Sequence, residues 1–545
     1  MGVIPADILL LICEELGKAG NFGTLFACAL ANRTLAASAV LCLYRYHSPA
    51  SFIEVSADGA TSFQWAMMWK SIIRSSLGST VYPYCLYIRS LDLSNFDDLL
   101  EVVSLRDSAR KNFFADDMSR FLQGQETPIK KRTRKGKLAL RALQRDVVLD
   151  LVGESITSFV SKTAEDNHAT VLLEDISGLI NRTSLPIWTS RLSRLRSMTL
   201  FEGNALSGIL AKAINEHCPD FDNIAFFNGG NDKSYAEFFE GLKPNSIKNF
   251  RAFHAQQIGS DALLSLNNHF ASLTTLKLDG LNAEGIRHLS ALKQCIALDS
   301  LELTANEHVD LERMESDVFE EIVAWLSNCA RLKELLLDKF ISAPAILSRI
   351  CFSGKFHLCE LTVKNYALQT AGSFHTALAF QKSLESLTLH ADSEDVARSA
   401  IDLVLLPLTE LTNLKVLNIL FTSDDFTNSD IKLIASSLPK LEELSISGWE
   451  IGDDIWPAIG QLHHLKYLSI HALSTFSPNA LLNHIWQLQP TNQGLFLDVA
   501  SQAGQHDIDE QKIGVIREAI REKVGGRFEF QLHRETEWES NSDSD

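Results

Sequence analysis

Apolar residues recur at regular intervals through most of the chain. Residues 273–281 read LTTLKLDGL and residues 298–306 read LDSLELTAN, so both follow the pattern L-x-x-L-x-L. Apolar and polar positions alternate within such a segment, which predicts a strand with one buried face. The steps between successive segments run from 24 to 34 residues, and half of them are 26. The first apolar position occurs eleven times, at Leu195, Phe221, Ile247, Leu273, Leu298, Leu332, Leu358, Leu384, Leu414, Leu441 and Leu465.

A strand pattern that returns at this period is typical of leucine-rich repeats. One repeat cannot bury its apolar edge alone, so neighbouring repeats must stack. The predicted fold class is α/β, a leucine-rich-repeat solenoid with parallel strands on the concave face and helices on the convex face. Weaker matches predict a twelfth unit at 494–500, a first strand within 88–96 and a degenerate unit over 169–179.

The position three residues before the strand pattern is apolar or a thiol in seven repeats. It is occupied by Cys218, Phe270, Cys295, Cys329, Leu411, Leu438 and Leu462. We expect these side chains to be buried at the end of the repeat helix. A buried cysteine behaves as a small hydrophobic residue, so this interpretation is favoured over reactive or metal-binding thiols.

These patterns divide the chain into five segments. Residues 1–48 are helical, 49–168 hold a linker, the first strand and a helical insertion, 169–507 form the repeats, 508–530 form a capping helix, and 531–545 form an acidic disordered tail. The insertion contains the basic run KKRTRKGK at 130–137. Proline and glycine near it predict a loop. Nuclear import or an acidic partner would suit this run, although a solvated loop is the simpler explanation.

Composition narrows the functional classes. The 545 residues carry a formal net charge of −18, which argues against general binding to nucleic acid or to anionic membranes. Nine cysteines without a C-x-x-C pair suit a reducing compartment. Asp7, Glu14 and Glu15 interrupt the apolar N-terminal run, so neither a signal peptide nor a membrane span is expected. We expect a soluble intracellular protein, in the cytoplasm, the nucleus or both.

An apolar stripe marks the N-terminal segment. Residues 4–17 read IPADILLLICEELG and place Ile8, Leu9, Ile12 and Leu16 at helical spacing after Pro5. Two further short helices are expected over 22–31 and 33–44. So small a unit is only marginally stable alone. Some of its apolar side chains should therefore remain exposed, as at a partner site.

Residues 2–48 resemble an F-box, the helical motif that docks a Skp-type adaptor in cullin-based ubiquitin ligases. Asp7 stands where glutamate is commoner, and the tryptophan often found in the third helix is absent. Together with the repeats, the chain resembles F-box plus leucine-rich-repeat proteins, notably the fungal kind. The alternative is a helical cap that seals the end of the repeats. The resemblance implies the adaptor-binding residues Pro5, Ile8, Leu9, Ile12 and Leu16 on the first helix, and Leu25, Cys28 and Leu30 on the second.

This resemblance implies a substrate-recognition subunit of a ubiquitin ligase, with a Skp-type adaptor and a cullin scaffold as partners. Its substrate, a protein, is not identified by the sequence. Such a subunit would act by raising the local concentration of substrate beside the ubiquitin-loaded enzyme. The alternative is a repeat scaffold with no link to ubiquitin. Because the sequence contains no phosphate loop, zinc motif or nucleophile motif, we expect no catalysis, cofactor or metal.

The strand pattern also predicts a binding surface on the repeats. The first, fourth and sixth positions should point into the core, and the fifth and seventh should point outward. The seventh position is Phe201, Phe227 and Phe253 in three successive repeats. Adjacent strands lie about 4.8 Å apart, so these rings could stack. Alternatively, the insertion covers them, or a bulge turns Phe253 inward. The candidate substrate-binding residues are Phe201, Phe227 and Phe253, bordered by Arg251, Lys277 and Asp279.

Overall fold

The computed structural model shows a parallel strand stack in each of two units, which divide between Ser272 and Leu273. It describes residues 5–46, 59–104, 107–122, 126–127, 142–353, 357–392, 398–474, 476–502 and 508–533.

The first unit begins with helices and continues into repeats. Its elements are α1 (Ala6–Lys18), α2 (Phe22–Ala31), α3 (Arg33–Tyr46), α4 (Gly59–Ser76), β1 (Ser90–Asp92), α5 (Leu93–Ser104), α6 (Asp107–Phe113), β2 (Glu126–Thr127), β3 (Ala142–Leu143), α7 (Arg145–Asp166), β4 (Asp175–Gly178), α8 (Ser184–Thr189), β5 (Ser197–Glu202), α9 (Gly208–His217), β6 (Asn223–Asn228), α10 (Asp232–Gly241), β7 (Asn249–Ala252) and α11 (Ser260–Ser265).

The second unit alternates strands and helices almost throughout. Its elements are β8 (Thr275–Leu281), α12 (Ala283–Arg287), β9 (Ser300–Ala305), α13 (Leu311–Met314), α14 (Ser316–Asn328), β10 (Glu334–Asp338), α15 (Ala343–Phe352), β11 (Glu360–Ala367), α16 (Gly372–Leu378), β12 (Ser386–Asp392), α17 (Arg398–Leu408), β13 (Val416–Ile419), α18 (Asn428–Ser437), β14 (Glu443–Ile451), α19 (Trp456–Ile459), β15 (Tyr467–Ser474), α20 (Pro478–Gln487), β16 (Phe496–Gln502), α21 (Glu510–Val524) and β17 (Arg527–His533). Short 3-10 turns complete several repeats in both units, among them Leu266–His269, Leu289–Leu292 and Pro490–Asn492.

The strand register agrees with the period in the sequence. Ser197 pairs with Asn223, and Asn223 pairs with Asn249. In the second unit, Glu334 pairs with both Ser300 and Glu360. Each of these residues stands two positions after the first apolar residue of its segment, and all eleven of those apolar residues are buried. Repeat helices pack on the next helix, as α9 does on α10 and α10 on α11. The predicted α/β leucine-rich-repeat fold is thus confirmed.

The ends of the repeat array differ in detail from the pattern. The strand of the degenerate unit pairs Asp175 with both Ser90 and Ser197. Its first apolar position is therefore Leu173, four residues later than a strict period of 26 predicts. The predicted strands in 88–96 and 494–500 are confirmed as β1 and β16. Strand β17, which we did not predict, follows α21 and pairs in parallel with β16.

The helical insertion lies between two strands that are direct neighbours. Strand β1 pairs with β4, so residues 93–174 interrupt the repeat pattern. Helix α7 of the insertion packs on repeat helix α8, where Trp188 Nε1 donates to Glu154 Oε2 at 3.0 Å. The basic run 130–137 and the tail from residue 534 lie outside the described residues.

The predicted burial of the residue three positions before the strand pattern is confirmed with one exception. Cys218, Cys295 and Cys329 are buried, and burial raises the pKa of each thiol to about 12. Leu411, Leu438 and Leu462 are buried as well. The prediction for Phe270 is wrong, because its side chain is 44% exposed and the preceding His269 is buried instead. The 3-10 turn Leu266–His269 brings His269, one residue earlier, to the inside.

Candidate functional site

The first candidate surface is an exposed apolar stripe on α1. Pro5 precedes the helix, and its carbonyl accepts hydrogen bonds from the backbone N–H groups of Ile8 and Leu9. Asp7 in the first turn and Lys18 in the last turn suit the helix dipole. Ile8 is 45% exposed and Ile12 is 47% exposed, with Leu11 exposed beside them. These three residues, the α1 stripe, have the i, i+3, i+4 spacing of one helix face.

The three N-terminal helices bury a small core of their own. Cys13, Leu25, Ala39 and Cys42 form its centre, and burial raises the pKa of Cys42 to about 11. Gly17 lies inside α1, where a Cβ would stand 2.7 Å from the Tyr46 ring. The close packing of α1 on α3 at this glycine fixes which face of α1 remains exposed.

The predicted adaptor-binding residues divide between the surface and this core. Pro5, Ile8, Ile12 and Leu30 are exposed, and Leu16 and Cys28 are half-buried. Leu9 and Leu25 are buried, so their side chains are not available to a partner in this structure. Leu11 on α1 and Phe26 on α2 are both exposed and were not among the predicted residues. Their spacing from Ile8 and Leu30 was the available signal, because i, i+3 and i, i+4 pairs share a helix face.

The segment is joined to the rest of the first unit at the end of α3. The Tyr44 hydroxyl lies 2.6 Å from Ser71 Oγ on α4, and its ring lies 4.7 Å from the Tyr84 ring. Arg45 Nη1 donates to Glu14 Oε1 at 3.0 Å and so ties α3 to α1. These contacts leave the α1 stripe exposed.

The second candidate surface is formed by three phenylalanine rings at the carboxyl ends of β5, β6 and β7. The centroids of Phe201 and Phe227 are 5.1 Å apart at an interplanar angle of 70°. Phe227 and Phe253 stack at 4.5 Å and 16°. Phe201 is 37% exposed, and the other two rings are half-buried. We call Phe201, Phe227 and Phe253 the phenylalanine ladder.

The structure supports an outward orientation of the ladder. Phe250 is buried, whereas Phe253 stacks on Phe227 and stays partly open to solvent. The packing of α7 on α8 places that helix of the insertion on the helix layer, so it does not cover the rings. Large rings at one register of parallel strands form the kind of apolar patch that proteins use for binding.

The predicted polar border of the ladder is only partly on the same unit. Arg251 is exposed on β7, in register with Ala225 and two residues before Phe253. Lys277 and Asp279 belong to β8 in the second unit. Lys277 Nζ lies 2.7 Å from Glu302 Oε2, so its charge is already paired.

The part of the chain that the structure describes offers neither a metal site nor a membrane span. Within it, no group of three or more histidine, cysteine, aspartate or glutamate side chains is arranged to hold a metal ion. Its helices include none with the length and apolar character needed to cross a bilayer.

Comparison with known proteins gives matches among solved structures but none by sequence. No protein-family model matches the sequence, and no curated protein matches it. Three solved structures with some similarity are an internalin (InlF) from Listeria monocytogenes, TLR13 in its complex with ssRNA13, and the yeast Rad7–Elc1 complex.

The similarity to these structures is low. The internalin has a TM-score of 0.38 and 15% identity, over 68% of this chain and 92% of its own. TLR13 has a TM-score of 0.37 and 13% identity, over 67% of this chain and 53% of its own. The chain matched in the Rad7–Elc1 complex has a TM-score of 0.33 and 14% identity, over 59% of this chain and 87% of its own. Such values say nothing about partners, and the strand register of this chain itself establishes its repeat fold.

Proposed function

We propose that this chain is the substrate-recognition subunit of a cullin-based ubiquitin ligase. Residues 2–48 would dock a Skp-type adaptor, and the outward strand face of the repeats would hold a protein substrate. The observation that carries the proposal is the α1 stripe, which is exposed although the helices that bear it already have a core. The resemblance of residues 2–48 to an F-box supplies the identity of the partner.

The alternative role of these helices is to cap the repeats. A cap would turn its apolar side toward the repeats in order to shield them from water. Here the segment meets the rest of the first unit through Tyr44 near the end of α3, while Ile8, Leu11 and Ile12 face solvent. This arrangement favours a docking role for the α1 stripe.

The proposed mechanism is proximity without catalysis by this chain. A substrate on the repeat face and a ubiquitin-loaded enzyme on the cullin scaffold would belong to one assembly. Tethering of this kind replaces a bimolecular encounter by an effective concentration on the order of millimolar. Transfer to a substrate lysine would then depend on reach and orientation.

The test is a pair of substitutions on the α1 stripe in the full-length protein. Ile8→Asp with Ile12→Asp places two charges in the interface. Since burial of one isoleucine contributes about 1.5–3 kcal/mol, the affinity for the adaptor should fall at least ~100-fold. Leu9 is unsuitable because it is buried, and its replacement would perturb the helices themselves. Isothermal titration with the purified adaptor measures the effect.

The matched control is Ile209→Asp, which changes an isoleucine that is 71% exposed on repeat helix α9. It should bind the adaptor as the unmodified protein does. If the stripe variant also binds at that level, the docking assignment is wrong. If the unmodified protein does not bind the adaptor, a repeat scaffold with no link to ubiquitin becomes the better explanation.

A further inference from the structure

The outward strand positions around the phenylalanine ladder carry a single formal charge. Arg251 is exposed, and within the described ranges its guanidinium has neither an ion-pair partner nor a hydrogen-bond partner. Its neighbour in register on β6 is Ala225, and Thr199 on β5 follows in the same row. The nine outward positions are Ser197, Thr199, Phe201, Asn223, Ala225, Phe227, Asn249, Arg251 and Phe253.

This charge pattern points to the chemistry of the ligand. The chain has a net charge of −18, yet the nine outward positions include one cation and no acidic residue. The acidic residues beside them are Asp175 on β4, in register with Ser197, and the exposed Glu202 after Phe201, both at the β5 side and away from β7. An arginine forms its strongest hydrogen bonds with a carboxylate, often through two parallel N–H donors. Aromatic rings beside it can bury a large apolar side chain. A ligand with both groups would complement the surface.

The geometry also sets the spacing of those two groups. Arg251 lies on β7 and Phe253 directly follows this strand, with its backbone N–H still donating to the carbonyl of Phe226 at 2.9 Å. Extended backbone places side chains two residues apart on one face, about 6.6 Å from each other. Side chains at i and i+2 of an extended peptide have the same separation. Ala225, next to Arg251 in register, is buried and has the smallest side chain of the nine positions, so it does not block a carboxylate beside the guanidinium.

We infer that the phenylalanine ladder and Arg251 bind an extended peptide segment in which a large apolar residue and an Asp or Glu stand two residues apart. The apolar side chain lies on the rings, and the carboxylate lies on the Arg251 guanidinium. This inference rests on the proposed function, because it describes how the substrate is recognised on the repeat face.

A single-stranded nucleic acid is the other ligand that stacked rings could bind. Such sites combine aromatic side chains with a positively charged groove that follows the phosphates. One arginine among nine outward positions does not make such a groove, and the net charge of the chain opposes a polyanion. The surface therefore favours a peptide with few charges.

The experiment measures peptide binding to the full-length protein by fluorescence polarisation. The probes are labelled nine-residue Gly/Ser peptides with one Trp and one Glu, separated by one to four positions. The i, i+2 peptide should bind at least tenfold more tightly than the i, i+1 and i, i+3 peptides. Replacement of its Glu by Gln should remove most of that advantage. Affinity that is independent of spacing or of the carboxylate would overturn the inference.

Charge reversal at Arg251 gives the second arm. Arg251→Glu should weaken binding of the i, i+2 peptide at least tenfold and should favour the same peptide with Lys in place of Glu. Lys212→Glu is the matched control, since Lys212 is exposed on helix α9 and the change in net charge is equal. Equal binding by Arg251→Glu and the unmodified protein would refute the site.

A ring variant and an oligonucleotide complete the test. Phe201→Ser with Phe227→Ser should abolish the preference for Trp while the melting temperature changes little; a large fall in melting temperature would show instead that the rings are core. Binding of a dodecathymidylate that is lost in this ring variant, with no binding of the peptides, would overturn the inference and assign the rings to nucleic acid. Adaptor capture by the same proteins separates the two proposals: loss of peptide binding alone rejects this inference, and failed capture by the unmodified protein rejects the proposed function.

Discussion

The buried side chain of His269 makes two hydrogen bonds that require one protonation state of its ring. His269 is fully buried, and burial lowers its pKa to about 4. Its Nδ1 lies 3.5 Å from the backbone N–H of Ile247, which donates to it, and its Nε2 lies 3.2 Å from the carbonyl of Phe239. Both contacts are satisfied only by a neutral ring with the proton on Nε2, because a proton on Nδ1 would oppose the Ile247 N–H.

Another repeat fills the same role with a neutral amide. Gln381 accepts from the backbone N–H of Leu358 at 3.3 Å and donates to the carbonyl of Cys351 at 3.3 Å. Leu358 and Ile247 are the first apolar positions of their repeats, so the two side chains serve equivalent backbone groups. A glutamine can therefore replace the histidine without loss of either hydrogen bond.

This equivalence predicts the effect of His269→Gln on the pH dependence of stability. Below pH 6.5 the unfolded chain protonates His269, whereas the folded chain does not until about pH 4, so the folded state loses stability on acidification. Between pH 7.5 and pH 5 this histidine should remove about 2 kcal/mol. Urea unfolding at both pH values should show a smaller loss for His269→Gln than for the unmodified protein. Equal losses in the two proteins would contradict the assigned protonation state.

A close glycine contact and a small polar cluster join the insertion helix α7 to repeat helix α8. A Cβ on Gly153 would stand 2.7 Å from Cζ2 of Trp188, so glycine allows the helix to approach the ring. Glu154 accepts from Trp188 Nε1 and, at 2.8 Å, from Arg191 Nη1. The hydrogen bond from Arg191 is the main cause that lowers the pKa of Glu154.

We expect Gly153→Ala to loosen the insertion. Alanine normally stabilises a helix interior relative to glycine by roughly 0.5–1 kcal/mol, but here overpacking against Trp188 should cost about 1–3 kcal/mol. Hydrogen exchange of residues 145–166 should therefore become faster. Gly208→Ala on α9 is the control, because its Cβ would meet only the carbonyl of Glu237 at 3.8 Å. Unchanged exchange in Gly153→Ala would show that Trp188 moves aside freely.

The two proposed surfaces share no residue, although both lie in the first unit. The α1 stripe is on the N-terminal helices, and the phenylalanine ladder is on β5 to β7. Substitutions at separate sites without shared partners usually have additive effects on free energy. The adaptor and the substrate should therefore bind independently, and ubiquitin transfer should need both.

A reconstituted ligase tests this expectation for the assembled protein. A carrier protein fused to the i, i+2 peptide should be ubiquitinated at least tenfold more slowly with either Ile8→Asp/Ile12→Asp or Arg251→Glu, because each breaks one half of the tether. The first variant should still bind the peptide, and the second should still bind the adaptor. Lys212→Glu should support transfer at the normal rate. Undiminished transfer by the stripe variant would mean that the adaptor docks elsewhere.

The strand register was determined by the sequence, and the reason is local. Parallel strands with the same alternation of buried and exposed positions place their buried apolar residues side by side. A repeat period near 26 residues therefore predicts the pairing of Ser197 with Asn223 and of Asn223 with Asn249. The same phase brings Phe201, Phe227 and Phe253 together at the ends of their strands. In both cases the repeat itself carries the long-range information.

Only the tertiary structure decided which side chains on α1 are exposed. Residues 8–12 are all apolar, so the helical pattern alone has no unique inner face. The packing of α1 in the N-terminal core buries Cys13, and Leu9 is buried as well, whereas Leu11 is exposed. Likewise, the 3-10 turn Leu266–His269 places His269 in the core and leaves Phe270 exposed. Which of two apolar side chains is buried depends on the element that packs against it in the tertiary structure, and local periodicity does not contain that information.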